Sequence, residues 1–116
     1  MLTTTPTFQV LADAIESSAL RQAVYSANVA NASVEGYQRL EVAFDAQLAA
    51  VERELASGAE QRMPTRALQV VSTQQSVKLD EEMARMAQNA LQYQTLVSMF
   101  EKEVSLLRLA IKEGRE

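Results

Sequence analysis

An uninterrupted heptad pattern near the C-terminus of this 116-residue chain constrains its fold more than any other feature. Apolar side chains recur there at alternating steps of four and three residues, which places them along one face of a helix and not of a strand. The pattern therefore predicts a long C-terminal helix over residues 77–113. We name its apolar stripe the C-terminal seam, which consists of Leu79, Met83, Met86, Ala90, Tyr93, Val97, Phe100, Val104, Leu107 and Ile111.

A helix with a continuous apolar stripe requires a partner, because its own hydrogen bonds do not offset the entropy lost when it orders. The spacing leaves two arrangements open: the seam is the core-facing side of a small bundle, or it is an intermolecular coiled coil. The second half of the helix favours contacts with more than one neighbour, since apolar residues lie on its other faces as well. These are Leu96, Met99, Leu106, Leu109 and Ala110.

A second amphipathic pattern predicts an N-terminal helix over residues 8–32. Its apolar side begins with Phe8, Leu11 and Ile15 and continues mainly as Ala and Ser, whose small side chains allow a close helix contact. The aromatic content of 5% and the few Gly and Pro residues argue against a β-sandwich or barrel. The expected fold is all-α, with antiparallel N- and C-terminal long helices that pair as a helical hairpin or coiled coil.

The middle of the chain, residues 33–76, is expected to hold a turn, a short helix and an irregular linker within a single domain of residues 1–116. The short helix is expected from about Asp45 to Leu55, and an extended piece is expected near residues 67–71. The Thr-rich start of the chain has little to bury and is expected to lack fixed structure on its own.

The turn after the first helix contains residues suited to a helix terminus. Asn28 and Asn31 can bond the loose backbone groups where the helix stops. Gly36 can supply a positive φ angle, and Tyr37 can cover the turn while its hydroxyl stays in water. An ordinary helix terminus would by itself account for all of these residues.

The composition argues against an enzyme. Cys and His are both absent, which removes the usual thiol nucleophile, the usual general base near neutral pH and the commonest metal ligands. Three consecutive carboxylates, Asp80, Glu81 and Glu82, point in different directions from a helix and are expected to form a solvated helix start. No catalytic, cofactor-binding or metal-binding residue is therefore assigned.

The charge balance and hydropathy narrow the range of partners. The formal net charge is −4 and the 11 Lys and Arg residues are scattered, which argues against nucleic-acid binding. No apolar run reaches the ~20 residues that span a bilayer, so direct membrane insertion is not expected. The first residues also lack the basic and apolar segments of a conventional secretory signal.

Two stretches of the chain resemble one protein family, the bacterial flagellar basal body rod proteins. Residues 26–37, SANVANASVEGY, resemble the family's N-terminal run S-x-N-I-A-N-A-x-T-P-G-Y, with Val34 and Glu35 in place of Thr and Pro. Residues 77–94 resemble the C-terminal run V-D-L-D-x-E-M-A-x-x-A-x-N-x-L-x-Y-Q of its proximal members. The family-motif residues of this chain are Asn28, Ala30, Asn31, Gly36 and Tyr37.

The resemblance implies a structural subunit that uses no cofactor. In that family the terminal helices pair as a hairpin and pack against copies of themselves and sister subunits, which builds a hollow rod through the periplasm. It also implies export by the flagellar type III apparatus without a cleaved signal peptide. The implied partners are other copies of the chain, the axial proteins FlgC, FlgF and FlgG, the adaptor FliE and the membrane ring FliF.

Two alternatives stay open from the sequence. Within the family, a second proximal rod protein, FlgC, fits the same helical pattern. Outside it, a regulatory or adaptor helical hairpin that binds one partner would carry a similar apolar seam. The rod hypothesis predicts a poorly ordered monomer that gains helix on assembly, whereas an adaptor would be a stable monomer or dimer.

Overall fold

The computed structural model describes residues 6–43 and 68–114. The N-terminal and C-terminal parts of the chain each form a long helix, as the sequence predicts, and two short strands lie between them in sequence. In chain order the elements are α1 (Pro6–Ala30), β1 (Leu40–Val42), β2 (Val70–Ser72) and α2 (Leu79–Gly114).

Helix α2 runs for 36 residues, a length of about 54 Å at about 1.5 Å per residue. Its first turn contains Asp80, Glu81 and Glu82 and its last turn contains Lys112, so these charges complement the helix dipole at both ends. The Asp80 carboxylate also accepts the backbone N–H of Glu81 at 2.9 Å. The helix begins at Leu79, two residues after the predicted start at residue 77, and ends at Gly114, one residue after the predicted end at residue 113.

Helices α1 and α2 pack side by side and run in opposite directions along their contact. Near the start of α1, the Phe8 ring meets the Phe100 ring edge to face, with centroids 5.3 Å apart. Near the end of α1, Asn28 bonds to Glu82 in the first turn of α2. Whether the pair has coiled-coil geometry stays a prediction.

The contact between the helices is narrow and partly polar. Leu11 and Val24 are buried apolar residues of α1, but Ser17 and Ser18 are buried as well. Small side chains occupy these positions, where Leu or Ile would hold the two helices further apart. The contact therefore relies on hydrogen bonds more than the apolar seam suggests.

The all-α prediction is wrong on one point, because β1 and β2 form a two-stranded antiparallel sheet. Strands of three residues are too short to show the alternation by which a strand is recognised, and the pairing joins segments far apart in sequence. The expected extended piece at residues 67–71 overlaps β2. The paired residues are Leu40 with Ser72, Glu41 with Val71 and Val42 with Val70.

Three expectations fall outside the described residues. They are residues 1–5 of the Thr-rich start, the short helix from about Asp45 to Leu55, and the part of the linker before residue 68. The Thr-rich start was expected to lack fixed structure over residues 1–7, but residues 6 and 7 belong to α1. The described end of that linker, residues 68–78, contains β2 and the backbone bonds that tie it to β1.

Candidate functional site: a buried polar cluster between the helices

A buried carboxylate, Glu82, lies at the centre of a polar cluster where α1 ends and α2 begins. Its side chain is 0% exposed although it belongs to the first turn of a helix. Glu82 Oε1 accepts hydrogen bonds from Arg39 Nε at 2.6 Å and from Arg85 Nη1 at 2.9 Å, and Oε2 accepts one from Asn28 Nδ2 at 2.7 Å. We call Asn28, Tyr37, Arg39, Glu82 and Arg85 the Glu82 cluster.

The burial of Glu82 corrects the expectation of a fully solvated helix start. Asp80 and Glu81 are exposed as expected, but Glu82 lies on the side of α2 that α1 covers. Successive helix residues are about 100° apart around the axis, so one of three consecutive carboxylates can face the neighbouring helix. The charge of Glu82 is tolerated there because two arginines and an amide bond to it.

Asn28 uses its full hydrogen-bonding capacity inside the protein and is 0% exposed. Besides its bond to Glu82, Nδ2 donates to Leu40 O at 2.9 Å. Oδ1 accepts the Leu40 N–H at 2.9 Å and the Tyr37 hydroxyl at 3.0 Å. Asn28 thus pairs with both backbone groups of Leu40, as a neighbouring strand would, instead of bonding the loose ends of α1.

The rest of the turn agrees in part with its sequence prediction. Asn31 Nδ2 donates at 2.8 Å to Ala27 O, which also accepts the Asn31 backbone N–H at 3.0 Å at the end of α1, and Gly36 has a φ of 82°. The hydroxyl of the half-buried Tyr37, which was expected to stay in water, donates a hydrogen bond to Asn28 Oδ1 at 3.0 Å. Ala30, the last residue of α1, is exposed.

The small sheet positions Arg39 at the edge of the cluster. The Arg39 N–H donates to Gln75 O at 2.7 Å, and Arg39 O accepts the Thr73 N–H and the Thr73 hydroxyl, both at 2.9 Å. The guanidinium donates through Nε to Glu82 and through Nη1 to Glu41 Oε1 at 3.2 Å. Its remaining nitrogen, Nη2, is buried and has no hydrogen-bond partner among the described residues.

Burial and hydrogen bonding act in opposite directions on the pKa of Glu82. Burial alone would raise it, but the hydrogen bonds from Asn28 and Arg39 and the charges of Arg39 and Arg85 outweigh burial and hold the pKa below its ordinary value. Burial also works against the charged form of Arg39, and its hydrogen bonds to Glu82 and Glu41 raise its pKa despite this. Both members of the pair are therefore charged at neutral pH.

A second buried amide, Asn89, joins the helices two turns further along α2 and is 4% exposed. Asn89 Nδ2 donates to Ser18 O at 2.9 Å and to Gln22 Oε1 at 2.8 Å, and Oδ1 accepts the Ser18 hydroxyl at 3.2 Å. Sliding one helix along the other would leave buried polar groups unpaired at Asn89 and at Glu82 together. The two sites therefore fix the lengthwise register of the helix pair.

The C-terminal seam is only partly covered by α1. The buried residues Glu82 and Asn89 each lie one position before a seam residue, so the covered strip of α2 is displaced from the predicted seam. The role of the seam in assembly stays a prediction. Its half-buried members are Met86, Ala90, Val97, Phe100, Val104 and Leu107, and its exposed members are Leu79, Met83, Tyr93 and Ile111.

The sequence did not identify Arg39 and Glu82 as members of the cluster, or Asn89 as a residue that fixes the register of the helices. Glu82 and Asn89 are seven residues apart, so they occupy one heptad position, and that repeat was the available signal. Arg39 had no such signal, because its place depends on β1 pairing with a distant segment.

The described residues contribute hydrogen bonds and ion pairs at this site. Within residues 6–43 and 68–114, no cluster of three or more Asp, Glu, Cys or His side chains is arranged to hold a metal ion. Neither described helix combines the length and the apolar character that a membrane span requires. The arrangement acts mechanically: it holds the end of α1, the approach to β1 and the start of α2 in fixed positions.

A known family model matches the N-terminal part of the chain. The family is described as "Flagella basal body rod protein", and the match covers residues 8–38, which include most of α1 and the turn after it. Asn28 and Tyr37 of the Glu82 cluster lie inside the matched segment, which ends directly before Arg39. No curated protein matches the chain. The family match supports the flagellar basal body rod family, a structural role and a place in the flagellum.

Proposed function

We propose that this protein is a structural subunit of the bacterial flagellar basal body rod, and that within the rod it is a proximal subunit of the FlgB type. The coincidence of the family match with the Glu82 cluster carries this proposal. The matched segment supplies Asn28 and Tyr37, and the segment with the C-terminal resemblance supplies Glu82 and Arg85. The two terminal segments meet at one buried joint, as expected of a subunit that assembles through paired terminal helices.

Exposed apolar side chains on α2 support assembly with neighbouring chains. Leu91 is 66% exposed, Met99 is 49% exposed and Leu109 is 55% exposed. Burying a half-exposed side chain of this size contributes about 1 kcal/mol, so a contact that covers several of them contributes several kcal/mol. The stretch of α2 from Phe100 to Gly114, beyond the ring contact with α1, still carries such residues.

A rod that transmits torque requires subunits whose helices do not slip along each other. The bonds at Glu82 and Asn89 supply that resistance, since each is a set of buried polar contacts that has no substitute one turn away. The proposed neighbours are other copies of the chain, the axial proteins FlgC, FlgF and FlgG, FliE and the ring protein FliF. The proposed location is the periplasmic rod, reached through type III export without a cleaved signal peptide.

Deletion and complementation of the gene test this proposal. We expect the deletion strain to retain the membrane ring but to lack the rod and swimming, and the wild-type gene to restore both. Met99→Asp should fail to restore the rod because it places a charge in an apolar contact, whereas Ser98→Asp on the adjacent exposed position should restore it. Normal swimming of the deletion strain, or normal rods with Met99→Asp, would contradict the proposal.

The two alternatives predict different outcomes of related experiments. If the chain is the sister subunit FlgC, its gene should complement a strain that lacks FlgC and not one that lacks FlgB. If it is an adaptor, the purified chain should form a tight complex with one partner, and its deletion should leave the rod intact.

A further inference from the structure

A polar notch of about 360 Å³ lies beside the Glu82 cluster at the start of α2. One wall comes from the segment that leads into α2, and the other comes from the first two turns of α2 and the Arg39 side chain. Every residue that lines it is polar or charged. The lining residues are Arg39, Gln75, Ser76, Lys78, Glu81 and Arg85.

The notch has more hydrogen-bond donors than the described residues use. Arg39 Nη2 has no partner, although the Arg39 side chain is only 6% exposed, and an unpaired buried guanidinium N–H is costly. Lys78 also lines the notch and is exposed, and no ion pair joins it to any described residue. Arg85 donates a hydrogen bond from Nη1 to Glu82, but its side chain is 39% exposed, so its other N–H groups can turn toward the notch.

The charge of the lining indicates which ligand would satisfy these donors. Three cations and one carboxylate, Glu81, line the notch, and two further carboxylates, Glu41 and Glu82, pair with its two arginines. The formal charges therefore balance, and a ligand would meet the unpaired Arg39 Nη2, the Lys78 ammonium and the positive end of the α2 dipole. A negatively charged acceptor with two oxygens fits this donor set, since guanidinium and ammonium groups bind carboxylates through charge-assisted hydrogen bonds.

We propose that the notch binds one carboxylate from an acidic side chain of a neighbouring protein chain. A lone carboxylate in an open polar notch binds weakly, because almost no apolar surface is buried with it. Such a site is therefore useful as one contact within a larger protein interface and not as a site for a free small molecule. The identity of the neighbour as a rod subunit rests on the proposed function, whereas the binding chemistry does not.

Titration of the full ¹⁵N-labelled chain with sodium acetate tests the site directly, with sodium chloride at equal ionic strength as the reference. We expect the Arg39 Nε–H resonance and the amides of Gln75 and Lys78 to shift saturably with acetate, with a Kd of roughly 1–10 mM. An acetylated glutamyl peptide amide should bind in the same way. Shifts that grow linearly with acetate concentration, or that are equal in chloride, would overturn the proposal. A bound water would then be the expected partner of Arg39 Nη2.

Matched variants separate the notch from general charge effects. Lys78→Gln should weaken acetate binding about threefold, while Lys102→Gln, on the exposed surface of α2, should leave it unchanged. Ser76→Asp should abolish the acetate response, because its own carboxylate would occupy the notch. An undiminished response in Ser76→Asp, or equal effects of both lysine variants, would overturn the proposal.

The outcomes also separate this site from the proposed function. Saturable acetate binding by a chain that does not complement the rod would leave the site in place and remove the rod assignment. Normal rods built from a chain that does not bind acetate would support the rod assignment and remove the carboxylate site.

Discussion

Replacing Glu82 by Gln should destabilise the protein more than any other single change of equal size at the start of α2. The substitution removes the buried counter-charge of Arg39, whose side chain is 6% exposed, and leaves it only the exposed Glu41; it also turns one of the two acceptor oxygens of Glu82 into an NH2 donor. Removing one partner of a buried ion pair typically costs about 3–5 kcal/mol, because the other charge stays buried. Arg85 lowers this cost, since its half-exposed side chain can turn to water.

Because Glu82 and Asn89 join α1 and α2 within one chain, we expect this helix pair to be folded in the free chain, in contrast to the poorly ordered monomer expected from the sequence. We therefore expect Glu82→Gln to reduce the free energy of unfolding by about 3 kcal/mol, measured by urea denaturation followed by circular dichroism at 222 nm. Glu81→Gln is the matched control, because Glu81 is exposed and should change stability by no more than about 0.5 kcal/mol. A double-mutant cycle with Arg39→Gln should give a coupling energy of about 1–3 kcal/mol. A loss below about 1 kcal/mol for Glu82→Gln, or no coupling, would refute the reasoning.

Three further predictions concern the same region. The pKa of Glu82 in the folded protein lies below its ordinary value of 4.5. The ionised Glu82 side chain therefore stabilises the fold above pH 4.5, and this stabilisation is lost as the pH falls through the folded-state pKa. The urea midpoint should for this reason fall more steeply with acid in the wild type than in Glu82→Gln. Asn28→Ala should cost about 3 kcal/mol in urea denaturation because four hydrogen bonds are lost, against about 1 kcal/mol for the single bond lost in Asn31→Ala. Gln74 has a φ of 62°, so Gln74→Gly should raise the thermal midpoint slightly by relieving strain of about 1 kcal/mol, whereas Gln75→Gly should lower it. Equal effects within either matched pair, or parallel acid profiles, would contradict these predictions.

The long helix could be predicted because its evidence is local. The seam from Leu79 to Ile111 repeats without interruption, and the acidic first turn and Lys112 mark its direction. The positive φ of Gly36 was predictable for the same reason, because the preference belongs to the residue itself.

The buried cluster could not be predicted in the same way, because its members depend on non-local pairing. Glu82 looks like its exposed neighbours in sequence, and only the position of α1 decides which of them is covered. Arg39 reaches Glu82 because Thr73 and Gln75 hold its backbone, and that contact crosses more than thirty residues. A buried charge also contradicts the hydrophobic pattern, so periodicity assigns it to the surface.

The roles of the motif residues were only partly accessible. Asn31 bonds a carbonyl at the end of α1, as its sequence position suggests. Asn28 looked equivalent to Asn31 in the sequence, but it bonds the backbone of Leu40 instead. The Asn28 amide takes the place of a neighbouring strand beside β1. This role could not be predicted without knowing that a strand lies there. The match to the family could identify the segment, but the contacts were needed to explain why these residues occur in it.

We propose that α1 and α2, joined at Glu82, form a structural element of the flagellar rod. The most direct test is an electron cryomicroscopy map of isolated basal bodies in which this chain is located at side-chain resolution. We expect the chain to lie in the rod wall with Glu82 bonded to Asn28 and Arg39. We also expect Leu91, Met99 and Leu109 to be buried against neighbouring subunits. A rod without this chain, or one in which these three side chains face solvent, would contradict this proposal.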